Sequence, residues 1–169
     1  MKRRYPSLAL SKPSESIWRD YECVHGREVI LDELETIATD AEGWTGPLPQ
    51  KEIEVRLGEL DAVIERARFG ELVEGEELKP VSADPELWEI RARMNGKQVR
   101  IYHAEPQIYV NLMVGLRAHF KWVDGTQGEI DKVQNTEISR ATKRFHDGQE
   151  REWRCVDPEA EPCPLDSPC

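Results

Sequence analysis

Leu87-Trp88-Glu89-Ile90-Arg91-Ala92-Arg93, Met94-Asn95-Gly96-Lys97 and Gln98-Val99-Arg100-Ile101-Tyr102-His103 run in succession, two alternating segments around an Asn-Gly dipeptide. Both central residues of a type I′ turn need positive φ, and Asn-Gly tolerates it best, so the stretch predicts a two-residue β-hairpin. Counting outward from the turn sets the register. Ala92 should face Val99, Ile90 face Ile101 and Trp88 face His103, giving a mostly apolar surface. Arg93 should meet Gln98, Arg91 meet Arg100 and Glu89 meet Tyr102 on the other surface. Two arginines directly opposed are unfavourable unless an anion lies between or above them. Glu89 or Glu105 is one candidate for that anion; a phosphate from outside is the other, because guanidinium forks match phosphate geometry.

Downstream, residues 109–122 alternate without a break. Val110, Leu112, Val114, Leu116, Ala118, Phe120 and Trp122 form one row. Tyr109, Asn111, Met113, Gly115, Arg117, His119 and Lys121 form the other. Period-two alternation predicts a long strand with an apolar face towards the core and a polar face away from it. A bulge at Gly115 would swap the faces beyond it, and the expectation is an unbroken strand because the swap would expose Phe120 and Trp122. The polar rows then gather Arg91, Arg100, Tyr102, Arg117, His119 and Lys121 on one surface, with Arg93 beside them. An ordinary solvated strand face is the plainer reading; a phosphodiester site is the chemical one. His103, opposite Trp88 on the core side, reads as a buried structural histidine.

Outward from the sheet, Ser16–Val24 suggests a first strand. Arg27–Glu42 suggests a helix with Ile30, Leu34, Ile37, Ala38 and Ala41 at helical spacing. Gln50–Phe69 is a stronger helix whose stripe is Ile53, Leu57, Leu60, Ile64 and Ala67. Glu71–Asp84 reads as an acidic loop. A last helix should start near Thr136 as N-cap, with Ile138, Ala141 and Phe145 inward and Arg140, Lys143 and Arg144 outward. The expected fold is α+β: an antiparallel sheet of about four strands, two N-terminal helices packed on one face, and a C-terminal helix. Residues 1–15 read as a flexible segment and 16–147 as the folded domain. Residues 148–169 read as a disordered acidic tail rich in proline.

The net charge of −10 argues against nucleic acid as a partner. It is unevenly spread, however. Residues 86–147 carry ten Lys/Arg against eight Asp/Glu, leaving 13 against 25 for the rest. Exposed charges are screened beyond ~8–10 Å, so a basic face can act within an acidic chain. Cys23, Cys155, Cys163 and Cys169 lack metal-ligand spacing and carry no assigned chemistry. Leu8-Ala9-Leu10 is too short for a secretory signal, and no window approaches a membrane span, so a soluble cytoplasmic protein is expected.

Leu87-Trp88-Glu89-Ile90-Arg91, Arg100-Ile101-Tyr102-His103, Tyr109–Leu116, Phe120-Lys121 and Glu137-Ile138-Ser139-Arg140-Ala141 together resemble the RelE/ParE toxin superfamily, in its HigB-like, phage-derived branch. The resemblance spans roughly residues 16–147. It implies the toxin of a type II toxin–antitoxin system: an endoribonuclease without metal or other cofactor that cuts messenger RNA on the ribosome and is neutralised by a helix-turn-helix antitoxin. Where the family has a Lys-Lys pair after the last strand, this chain has Lys121-Trp122 and a longer linker. In such a nuclease Arg91 and Arg100 would stabilise the phosphorane and His119 would transfer a proton. Lys121 or Arg117 would serve as second cation, and Arg93, Tyr102 and Arg117 would hold RNA. A catalytically silent module that binds a protein partner, and a ParE-like inhibitor of a DNA enzyme, are the alternatives.

Overall fold

A computed structural model of the chain describes residues 6–10, 15–23 and 28–154. Met1–Arg4, His25-Gly26, Cys155, Cys163 and Cys169 lie outside the described residues. The elements are β1 (Ile17–Asp20), α1 (Val29–Ala38), α2 (Gln50–Arg68), β2 (Leu78–Pro80), β3 (Leu87–Met94), β4 (Lys97–Ala104), β5 (Leu112–Phe120) and α3 (Gln127–Gly148). The strands form one five-stranded mixed sheet in the order β1-β5-β4-β3-β2.

That sheet corrects the expected antiparallel arrangement of about four strands. β1 lies parallel to β5, with Ile17 opposite Leu112, and the predicted acidic loop supplies an edge strand in which Leu78 pairs with Ile90 and is fully buried. Of the two helices expected to lead into the sheet only α2 is long; α1 has ten residues.

The hairpin forms in the register that its turn dictates. Asn95 and Gly96 take φ of 49° and 75°, and Arg91 pairs with Arg100 and Glu89 with Tyr102. Turned so that its carbonyl oxygen faces α2, the Asn95 amide accepts from the guanidinium of Arg56. Arg56 is itself buried and donates to the Ala38 and Asp40 carbonyls. The turn is thus tied to the end of α1 as well as closed by its own backbone.

Two cores lie on opposite sides of the sheet. Ile30, Leu34 and Ile37 of α1 and Leu60, Ile64 and Ala67 of α2 cover Ile90, Val99 and Ile101. Ala141 and Phe145 of α3 cover Leu87, Tyr102, Ala104 and Leu116. α3 starts ten residues before the expected helix, at Thr126, which accepts from the Glu129 amide while Glu129 reaches back to the Thr126 amide. Arg144, expected outward, is buried and donates to Glu33 and to the Leu116 carbonyl.

β5 is shorter than the alternating stretch and is broken by a bulge. Tyr102 pairs with Arg117 but His103 pairs with Gly115, leaving Leu116 as the extra residue. The bulge moves the apolar half of the strand: Leu112, Val114 and Leu116 belong to the α3 core, whereas Met113 and Ala118 belong to the other. Val110, expected in the core, is 88% exposed, and Trp122 lies beyond the strand and is 52% exposed. His103 is buried as expected, its Nε2 3.0 Å from Glu105.

Packing also extends past both expected domain boundaries. Ala9 is buried beneath α2, and Trp153 is buried against Phe145, with parallel rings 5.5 Å apart. No helix among the described residues is long and apolar enough to cross a membrane.

Candidate active site

Cross-strand pairing lays the predicted residues out as a grid on the α3 side of the sheet. Arg93, Gln98 and Lys121 form the row nearest the hairpin turn, where the Lys121 amide donates to the Gln98 carbonyl at 2.7 Å. Arg91, Arg100 and His119 form the next row, and Glu89, Tyr102 and Arg117 the third. Paired residues on adjacent strands share a face, so all seven predicted site residues meet on one surface.

The surface is not the open polar face expected. α3 covers its third row, where Gln134 donates to Glu89 at 3.2 Å and Glu137 accepts from Arg117 Nε at 2.5 Å. Arg117 is also bound to Glu33 of α1, which reaches over the sheet edge and accepts the Ala118 amide at 2.7 Å. Burial pulls the Arg117 guanidinium pKa down, but Glu33 and Glu137 more than offset that and raise it. Arg117 is therefore a structural cation, locked between two helices.

Glu89 is the anion between the opposed arginines. Its Oε1 lies 2.7 Å from Arg91 Nε and 3.1 Å from Arg100 Nε, and its Oε2 accepts from Tyr102 at 3.3 Å. Glu105, the other sequence candidate, is spent on His103, on Ser7 and on the Leu8 amide. Arg100 is buried; desolvation lowers its pKa and Glu89 opposes the shift. Its Nη2 donates to Gln98 Oε1 at 2.7 Å and its Nη1 to the Val99 carbonyl. Burial and the Glu89 carboxylate push the Tyr102 phenol upward, so it stays protonated and donates. Arg91 commits only Nε to Glu89, and its side chain is 26% exposed.

His119 stacks on Tyr102 at 5.7 Å. Its Nδ1 lies 2.7 Å from the Phe120 carbonyl oxygen, which can only accept, so Nδ1 carries the proton. Burial lowers its pKa, against the Phe120 hydrogen bond, which raises it. The ring is therefore neutral near pH 7 and Nε2 holds a lone pair. That atom is buried and has no hydrogen-bond partner. Nothing in the sequence marks this tautomer, because it depends on how the strand end presents the next carbonyl.

Arg93 is exposed and Lys121 half-buried, and neither has an ion-pair partner among the described residues. A cavity of about 500 Å³ opens beside Arg91, Arg93, Gln98 and Arg100, rimmed by Glu76 and Glu77. Glu77 is neutralised by Arg66 in a two-point contact at 2.7 and 2.8 Å. Among the described residues no three His, Cys, Asp or Glu side chains come together as a metal-ligand set.

No family model matches the chain, and no curated protein does. The grid itself carries the functional argument.

Proposed function

We propose that the protein is an endoribonuclease toxin whose active row is Arg91, Arg100 and His119, working through side chains rather than a metal. The observation that carries this reading is the unpartnered Nε2 lone pair of His119, held in register beside two arginines. Cleavage by the neighbouring 2′-hydroxyl needs a base for that hydroxyl, cations for the phosphorane and an acid for the 5′-oxygen. His119 Nε2, closed off in the free protein, takes the 2′-hydroxyl proton once the side chains over it move aside for the bound strand. The terminal nitrogens of Arg91 hold the phosphoryl oxygens, with Arg100 beneath them. Lys121, about 7 Å further along the same strand face, donates to the departing 5′-oxygen. The resemblance to HigB-like toxins adds ribosome-bound messenger as the substrate, the cytoplasm as the site of action and a helix-turn-helix antitoxin as the partner.

The test is induction of the wild type and of His119→Gln, with growth and the integrity of ribosome-bound messenger as readouts. Loss of 10²–10⁴-fold in cleavage at unchanged melting temperature is the expected result for a proton-transfer group. Because burial lowers the His119 pKa, the base stays unprotonated into mildly acidic solution. The rate should therefore fall only below the ordinary imidazole range. Wild-type protein that neither slows growth nor cuts messenger would overturn the proposal.

One observation favours a silent protein-binding module instead. Glu89 neutralises the arginine pair from within, and α3 closes the third row. On that reading partner affinity is indifferent to His119.

A further inference from the structure

We propose that Lys79, Arg93 and Lys121 form a phosphate track for single-stranded RNA, skirting the part of the face that α3 covers; this rests on the cleavage reading above and extends it to substrate binding. The three lie at the margins of the grid. Lys79 pairs with Glu89 across the β2–β3 ladder, so it shares the α3 face at the outer end of the third row. Arg93 and Lys121 flank Gln98 in the first row. The other cations that β3, β4 and β5 place on this face are bound to carboxylates: Arg91 and Arg100 to Glu89, Arg117 to Glu33 and Glu137. Lys79, Arg93 and Lys121 have no partner among the described residues, and Lys79 and Arg93 are exposed. The charge division is thus spatial, with paired cations in the centre and unpaired ones around it.

Strand geometry sets the distances. Arg93 lies four residues along β3 from the position facing Lys79, about 13–14 Å, and two strands from Lys121, about 10 Å. A few nucleotides of extended single strand span those separations. Such a strand runs along the short β2 edge, past the cavity at Arg91 and Arg93, and across the hairpin end beside His119. A duplex, rigid and broad, cannot follow that turn. Glu76 is the opposing feature, an exposed carboxylate on the cavity rim.

A 2′-O-methylated single-stranded RNA oligonucleotide, which lacks the attacking hydroxyl, is the probe, with binding followed by fluorescence anisotropy across a salt series. Each phosphate contact contributes about 0.7 to the slope of log K against log salt for a single strand. Lys79→Ala, Arg93→Ala and Lys121→Ala should each lower the slope by about that amount, and the triple variant by about 2, with binding at low salt weakened more than tenfold. Glu76→Gln should tighten binding. A triple variant with the wild-type slope would overturn the track; the cleavage reading is tested apart from it, by His119→Gln on ribosome-bound messenger, because Lys121 serves in both. Wild-type protein that fails to bind the oligonucleotide at 20 mM salt on the order of the weakest non-specific affinities, or that prefers a duplex of the same sequence, overturns it equally.

Discussion

Glu89→Gln would keep the shape of the buried side chain and remove the charge that Arg91 and Arg100 share. Two guanidinium groups would then face each other with no anion between them, one of them almost wholly buried. Breaking such a pair costs about 3–5 kcal/mol, discounted here because Arg91 is partly solvated, so a loss of about 3 kcal/mol in chemical denaturation is expected. Arg100→Ala should also destabilise, because it strands Glu89. Because Glu89 already lies between the two arginines, removing either one brings no relief of repulsion. His119 carries a different signature. Its folded pKa is lowered below 6.5, so the unfolded chain takes up the proton first as pH falls. Stability should hold above about pH 6.5 and decline below it towards the lowered value, and His119→Gln should flatten that decline in melts between pH 5 and 7.

At the level of elements, the hairpin was fully legible because turn chemistry and alternation agreed. Asn95→Ala should cost about 1 kcal/mol or more for positive φ, and further for the lost contact to Arg56, read as a lower melting temperature. α2 was plain as a helix, but its stripe joins the core only at Leu60, Ile64 and Ala67, with Ile53 and Leu57 half-buried outside it and Arg56 buried in that half of the helix. Leu60→Ala should cost about 2–5 kcal/mol by denaturant titration. β5 misled for a physical reason. Its residues alternate without interruption, and a bulge that changes phase leaves no mark when both phases contain apolar residues. The swap did not expose Phe120, which stays half-buried against the α1–α2 core, while Leu112 and Val114 changed sides instead. The start of α3 was readable in principle: Thr126-Gln127-Gly128-Glu129 is a capping-box pattern, overshadowed by the two glycines around it. Thr126→Ala should cost about 1 kcal/mol and fray the first turns, seen as lost amide protection around residues 127–131.

Across the whole molecule, the polar face gathered the residues that the sequence pointed to. What the sequence lacked was the roof. No local pattern says that α3 returns over Glu89 and Arg117, because that depends on how a helix and a sheet settle against each other in three dimensions. The parallel pairing of β1 with β5 was hidden in the same way, since the partners lie far apart along the chain. Trp153 closes the α3 core, its indole donating to the Phe145 carbonyl and its carbonyl accepting from Glu22. Trp153→Ala should cost about 3–5 kcal/mol, read from the shift in unfolding midpoint. The pairing of Ile17 with Leu112 also sets a timetable for synthesis. At about 5–20 residues per second, β1 leaves the ribosome on the order of 5–20 s before its partner strand has been made. Until then the nascent chain has neither a finished sheet nor a docked α3. The face assembled from β3, β4 and β5 is therefore incomplete until β5 has been made and has paired with β4 on one side and the waiting β1 on the other.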